Sequence, residues 1–373
     1  MVRILHLADL HLGWLPHSLG PRAEERQRER DSLLSRAVDW VLAARGADMV
    51  IIAGDLFETH RPPAALAQRV VADLDRLVQA GVPVITVPGN HDEITYHDSV
   101  YRQYGPRWPG VLIRDPMPVH AATLTIKGVP VHIYGLAYTG GLTQTNPPIK
   151  NFPRLEADGL HIAVFHGSLD WDAGDRSLPL ESAALLKARY DYVALGHIHQ
   201  HQVHRIGNGL AVYPGMVEGK TFSDPGVGYF TVAVLGPGPA RVETVPAGAR
   251  AVRVVEMDVT ACLELAEIEG RLAGAADREA IVQIRLTGAA PERLPLAQWQ
   301  ERLAPGFYHL EIVDDTVALD SGVVDAWAEE PTVRGQFVRR IKAALAQAAD
   351  ADERRLLQKA LRYGLAALEG QAL

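Results

Sequence analysis

Five times in the first two hundred residues, a short apolar run rich in β-branched residues stops at aspartate, asparagine or histidine. The runs are Val2 to Ala8, Met49 to Ala53, Val82 to Val87, Leu160 to Phe165 and Tyr192 to Leu195. The clusters at their ends are Asp9-Leu10-His11, Gly54-Asp55, Gly89-Asn90-His91-Asp92, His166-Gly167 and Gly196-His197-Ile198-His199. Largely apolar runs of that length read as strands buried on both faces. In an α/β fold the carboxyl ends of such strands open on one crevice, so polar groups far apart in the chain can meet there on a rigid frame. One histidine or aspartate after a strand is ordinarily a turn cap or a satisfied polar group. Five clusters in series argue for a shared site.

The rest of the chain fits the same architecture. Leu33, Leu34, Ala37, Val38, Val41 and Leu42 recur at helical spacing and predict a helix ending near Gly46, and a second helix is expected from Pro63 to Gln79. Ala122 to Ile126 and Val129 to Tyr134 flank Lys127-Gly128 as a hairpin, and Ala211 to Tyr213, Tyr229 to Leu235 and Arg241 to Val245 add strands. The expected fold is α/β: a two-sheet sandwich flanked by helices over residues 1–247. A turn-rich stretch there marks a boundary. Alternating strands and helices over 248–317 predict a small α+β unit. Phe337, Val338, Ile341 and Leu345, then Leu357, Leu361, Leu365 and Leu368, predict two amphipathic C-terminal helices within 318–373.

Composition bounds the reading. With 373 residues, 47% of them hydrophobic, and a net charge of −8, collagen-like, disordered and coiled-coil chains are excluded. The acidic balance argues against a uniformly basic surface that coats nucleic acid, though it leaves room for local basic patches. A single cysteine, Cys262, rules out an intrachain disulfide and a thiolate zinc site, and is expected in the core. No apolar run approaches the roughly 18 residues of a spanning helix, and Asp9 comes too early for a signal-peptide core. No membrane partner and a cytoplasmic location are expected.

Of the 15 histidines, only His309 lies beyond His204, so imidazole chemistry belongs to the first part of the chain. Carboxylates, an amide and imidazoles without thiolate suit Mn, Fe or Zn. The spacing of two in Asp9/His11 and His197/His199 points both members of each pair the same way if the segments are extended. His6, inside a strand, is expected to be a buried structural residue, whereas His60, His201 and His204 read as loop residues. The alternating charges from Arg22 to Arg30 read as the solvated start of a helix.

The order of motifs, D-x-H, G-D, G-N-H-D, H-G and G-H-x-H, resembles the calcineurin-like metallophosphoesterase superfamily. Within it, His6 to Gly13 and Ala53 to Phe57 are similar to the opening motifs of the SbcD and YhaO-like DNA repair exonucleases. The resemblance covers about residues 1–235 and implies two divalent metals, Mn first with Fe or Zn as alternatives. Asp9, His11, Asp55 and His199 would hold one ion. Asp55 would bridge to the second, completed by Asn90, His166 and His197. His91 would stay uncoordinated as the catalytic residue, with Asp92 either orienting it or capping the next turn. Archaeal and eukaryotic relatives carry a histidine three residues after the bridging aspartate. Here Glu58 stands in that place, with no role assigned, and no substrate-binding residue is named beyond a modest expectation that Arg61 contacts a phosphate backbone.

The resemblance implies a phosphodiesterase that hydrolyses DNA ends in repair, with residues 248–317 as a cap. It also implies dimerisation and docking of the C-terminal helices on an SMC-like coiled-coil ATPase of the SbcC type. The alternatives are a phosphoesterase acting on a small phosphoester or cyclic nucleotide, and a non-catalytic DNA-end-binding subunit.

Overall fold

A computed structural model of the chain describes residues 1–140, 149–170, 178–319 and 321–368. The chain divides into two compact units, Met1–Ala249 and Arg250–Leu373.

The first unit holds two six-stranded sheets. Its strands are β1 (Val2–Leu7), β2 (Met49–Ala53), β3 (Val84–Val87), β4 (Val111–Leu112), β5 (Val119–Ile126), β6 (Val129–Gly135), β7 (Leu160–His166), β8 (Ser168–Leu169), β9 (Pro179–Leu180), β10 (Tyr192–Gly196), β11 (Gln202–Ile206), β12 (Gly209–Tyr213), β13 (Tyr229–Leu235) and β14 (Arg241–Pro246). One sheet has the order β14-β13-β1-β2-β3-β4 and the other β11-β12-β10-β7-β6-β5, while β8 and β9 pair separately. The strands carrying the polar clusters, β1, β2, β3, β7 and β10, run parallel within their sheets. All five predicted strands form, so the expected two-sheet α/β sandwich is what the chain builds.

Burial on both faces explains why these runs are largely apolar. In β1, Val2 and Ile4 face the core between the sheets, while Leu5 and Leu7 pack under the helices. In β10, Tyr192 and Ala194 enter the same inter-sheet core and Val193 and Leu195 the outer one. Helices Leu33–Ala44 and Ala64–Gln79 cover the first sheet through Leu34, Val38, Val41, Val70, Leu74 and Leu77, all buried. His6 is fully buried in the inter-sheet layer, with Nδ1 2.8 Å from the Tyr192 hydroxyl, which is the structural role expected of it.

The charged segment after Arg22 departs from expectation. It forms the helix Ala23–Asp31, but Arg26 and Arg30 are 1% and 0% exposed rather than solvated. Arg30 donates to the carbonyls of Leu10, Glu218 and Gly219, and Arg26 pairs with Glu218. Buried guanidinium groups persist where acceptors converge on them. Most of these acceptors lie nearly two hundred residues downstream, so local charge alternation carried no sign of them. His204 also differs, lying within β11 rather than in a loop.

In the second unit, β15 (Val252–Asp258), β16 (Ile281–Thr287) and β18 (His309–Asp314) form a parallel sheet, and β17 (Ala289–Ala290) pairs with β19 (Val317–Ala318). Helices Leu265–Gly274 and Leu296–Leu303 bury Ile268, Leu272 and Trp299 in a core that includes Cys262. Helices Val333–Gln347 and Ala351–Leu368 pack through Val338, Leu365 and Ala366. A preceding helix, Ser321–Ala328, has no counterpart among the sequence expectations. Within the predicted segment 318–373, residues 320 and 369–373 lie outside the described residues. No helix among the described residues is long and apolar enough to cross a membrane.

Candidate metal centre

The loops after β1 and β2 run side by side and prolong the ladder past the strands. Asp9 N donates to Gly54 O, His11 N to Asp55 O and Leu12 N to Leu56 O, at 3.2, 3.0 and 2.9 Å. Asp9, His11 and Asp55 take φ of 54°, 47° and 49°, and His197 takes 98°. Left-handed backbone at non-glycine residues is strained and clusters where function requires it. It also corrects the expectation that Asp9 and His11 align by the pleat of an extended segment: left-handed turns bring them to one side.

Glycines let the loops close on one another. A Cβ on Gly89 would collide with the backbone nitrogen and Oδ1 of Asp55, and one on Gly196 with the carbonyl oxygen of Ala53. The Gly89 turn places His91 N 2.8 Å from Asp55 Oδ1. Asp92 is spent on this turn: Oδ1 accepts from Gly89 N, and Oδ2 from Phe57 N and the Tyr101 hydroxyl. It ties the preceding turn to Phe57 and Tyr101 instead of capping the next one, and none of these bonds reaches the His91 ring. The carbonyl of Glu58 holds the His91 ring instead, 3.1 Å from Nδ1.

The structure gathers Asp9, His11, Asp55, Asn90, His166, His197 and His199 into one cluster. Asp55 Oδ2 lies 3.7 Å from His11 Nε2 and 3.5 Å from His166 Nε2. On one side, His11 Nε2 and His199 Nε2 are 3.3 Å apart. On the other, Asn90 Oδ1 is 2.9 Å from His166 Nε2 and 3.0 Å from His197 Nδ1. The carboxylate of Asp9 accepts from His197 N with both oxygens. Three groups, Asp9/His11/His199, Asp9/Asp55/His166 and His11/Glu58/His91, each have ligand atoms within 4.8 Å of one another. Asp9, His11, Asp55 and His166 are fully buried, whereas His91 is exposed and packs edge-on to His11.

Several of these imidazoles have one nitrogen in the cluster and a polar group beside the other. His166 Nδ1 is 2.8 Å from Ala53 O, His11 Nδ1 is 2.9 Å from Glu58 Oε2, and His199 Nδ1 is 2.6 Å from Asp224 Oδ2. Such outer partners fix the tautomer and aim the remaining lone pair inward, as metal sites require. The electrostatics agree. Burial raises Asp9 to about 6, and Asp55 adds to it. Burial would raise Asp55 too, but His166 and His11 outweigh it and hold its carboxyl well below the usual range. His166 is driven up to about 9 against its burial, because Asp55 and Asp9 attract the proton. Two buried carboxylates that hold a proton on a neighbouring imidazole are asking for positive charge, and this donor set fits divalent cations.

Sequence reasoning missed Asp224 and Lys220, and left Glu58 without a role; Lys220 Nζ is 2.6 Å from Glu58 Oε2. Asp224 lies in an unremarked turn 25 residues after its partner His199, and no motif marks it. Arg61 is exposed and pairs with Asp98, His60 stacks on Tyr96, and His201 Nδ1 is 3.3 Å from Pro214 O.

Residues 2–201, more than half of the chain, match the family model for the calcineurin-like phosphoesterases, and the chain belongs to that family. It is similar to the DNA double-strand break repair protein Mre11 of Methanopyrus kandleri, 29% identical over 239 residues covering 59% of this chain and 50% of the relative. It is also similar to two Bacillus subtilis proteins. One is the uncharacterized metallophosphoesterase YhaO, 27% identical over 62% of this chain and 57% of the relative. The other is the SbcD component of the nuclease SbcCD, 26% identical over 60% and 64%. The chain spans about half the length of the curated relatives it matches.

Proposed function

We propose that the protein is a two-metal phosphodiesterase, a DNA exonuclease of the SbcD/YhaO type acting on DNA ends in repair. Asp9, His11, Asp55 and His199 would hold one cation, and Asp55, Asn90, His166 and His197 the other, with Mn preferred. The observation that carries this reading is the place of Asp55 Oδ2, 3.7 Å from a histidine of one group and 3.5 Å from a histidine of the other. When bound, two cations would lower the pKa of water and neutralise charge developing on a phosphoryl group.

The chain's own residues supply the rest. Asp9 and Asp55, buried and rigid, keep the ligand atoms in register without reorganisation. His91, exposed and tied at Nδ1 to Glu58 O, has Nε2 left to hold a proton for the leaving-group oxygen. A cavity of about 610 Å³ opens beside His197 and His199, lined also by Gln200, His201 and Ser223, and offers room for a phosphodiester substrate.

In this reading the 248–317 segment caps the site, and the C-terminal helices dock an SMC-like coiled-coil ATPase. Val333, Leu356, Tyr363 and Leu368 leave apolar surface exposed on those helices, which supports a partner there. Dimerisation belongs to the same proposal, and the lone cysteine fits a cytoplasmic setting. The net charge of −8 favours a second reading, the same chemistry on a small phosphoester or cyclic nucleotide.

Mn-dependent release of nucleotides from linear DNA, abolished in His91→Ala, is the expected result. Turnover of p-nitrophenyl phosphate esters with DNA untouched would favour the small substrate. Metal uptake with no turnover of either, even with the ATPase present, would leave a DNA-end-binding subunit.

A further inference from the structure

The segment 150–158 forms no helix or strand, yet four buried side chains fasten its backbone. The Tyr190 hydroxyl donates to Pro153 O, and the Tyr134 hydroxyl accepts from Leu155 N at 3.1 Å. His161 Nε2 meets Ala157 O at 3.0 Å, and His132 Nε2 meets Asp158 O at 3.1 Å. A carbonyl only accepts, so His161 carries its proton on Nε2 and takes the Tyr134 hydroxyl proton at Nδ1, 2.8 Å away. A plain connecting loop does not need four buried polar groups to hold it, and rigid loops are where binding residues are placed.

Arg154 sits within this fastened stretch. Among the described residues it makes no hydrogen bond and no ion pair, and its Nε is buried without a partner. A buried donor on a cation is costly to leave unsatisfied. Arg154 lines a cavity of about 730 Å³ together with Lys150, Lys187 and Arg189, against the one carboxylate of Glu156. Lys187 and Arg189 also lack an ion pair among the described residues, and Lys150 has only Glu181, at 3.6 Å. Cations at the carboxyl end of the helix Ser182–Ala188 would account for Lys187 and Arg189, but not for the two on the segment 150–158. Unpaired positive charge thus gathers at one cavity in a chain of net charge −8.

The rest of the wall is apolar. Met117 is 58% exposed at the cavity, and the Phe152 ring is held against Phe165 with centroids 5.3 Å apart. A bare anion would leave that wall in water, whereas a ligand that joins a flat ring to phosphate uses both halves. The volume suits such a ligand, since pockets of roughly 300–1,000 Å³ hold small molecules of this size. We propose that the cavity is a second ligand site, sharing no residue with the metal cluster, that binds a nucleoside phosphate, with the phosphates on Arg154, Lys187 and Arg189 and the base against Phe152 and Met117. A free nucleotide and the 5′-phosphorylated end of a DNA strand both offer this chemistry.

The test is calorimetric titration of the full chain in excess chelator, which keeps bound cations out of the measurement, with ATP, inorganic phosphate and a 5′-phosphorylated oligonucleotide in turn. ATP should bind, and inorganic phosphate should bind at least about tenfold more weakly. Arg154→Met should weaken ATP by about 10–100-fold, and Lys187→Met by less. Arg154→Met should keep the wild-type melting temperature, because the side chain has no partner to lose, and should keep Mn-dependent turnover of bis(p-nitrophenyl) phosphate within about twofold. Binding of the oligonucleotide without ATP, lost in Arg154→Met, would support the site with the strand end as its source. No binding of either, binding unchanged in Arg154→Met, or inorganic phosphate as tight as ATP would overturn the proposal and leave the two-metal reading standing. ATP binding in a protein that takes up no metal would overturn that reading alone.

Discussion

His11 Nε2 and His199 Nε2 face each other across 3.3 Å, although 188 residues separate them in the chain. Asp224 Oδ2 lies 2.6 Å from the outer nitrogen of His199, and Glu58 Oε2 lies 2.9 Å from that of His11. At that distance either one ring donates to the other or a cation fits between them. Beside them, the buried carboxylates of Asp9 and Asp55 attract positive charge, as the raised His166 shows.

Metal should therefore stabilise the fold. Manganese at about 100 times its dissociation constant should add roughly 2.7 kcal/mol, and a chelator should remove it. Thermal unfolding with and without Mn²⁺ measures this directly. A melting temperature indifferent to both additions would contradict the assignment of the cluster.

Asp55→Ala and His91→Ala should part company. The aspartate variant loses the oxygen that both histidine groups share and should lose metal, as read by elemental analysis. The His91 variant should keep its metal and lose about 10²–10⁴-fold in phosphodiester turnover. Normal metal content in Asp55→Ala would overturn the bridging assignment.

Gly89→Ala should fail in a way that Gly270→Ala does not. A methyl group at residue 89 would strike Asp55, whereas residue 270 has open space and lies in the helix Leu265–Gly274. The first should cost at least about 1–3 kcal/mol and metal content, by overpacking; the second should be neutral or gain about 0.5–1 kcal/mol. Denaturant titrations of the two, side by side, decide it.

His6 should make the metal-free protein acid-sensitive. Burial lowers its pKa from 6.5 to about 3, so between those values the unfolded chain binds a proton that the folded chain refuses. Its stabilising contribution is complete above about pH 6.5 and is lost as the pH falls toward 3, by roughly 1 kcal/mol per pH unit. Urea unfolding from pH 7 to pH 4 should show a shallower slope for His6→Gln than for the wild type. Identical slopes would refute the assignment.

Much of the sandwich and the membership of the cluster was legible in the chain. Burial on both faces makes strands such as β2 and β10 apolar throughout, and a polar residue at the end of such a strand stands out against that background. The role of Asp92 was legible only as two alternatives, because a carboxylate beside a turn can cap or orient with the same sequence around it. The bonds to Gly89, Phe57 and Tyr101 gave it a third role, bracing the turn before it.

By itself, the sequence determined the five strands that carry the polar clusters, the polar character of their ends, and which donor types are at hand, because periodicity and donor chemistry are local properties. Only the tertiary structure decided who stands behind each imidazole, that Arg26 and Arg30 are interior, and that left-handed turns rather than an extended pleat aim Asp9 and His11. The physical reason is range. A hydrogen bond from His199 to Asp224, or from Arg30 to Gly219, depends on where the chain returns after tens or hundreds of residues, and no spacing rule along the sequence records that path.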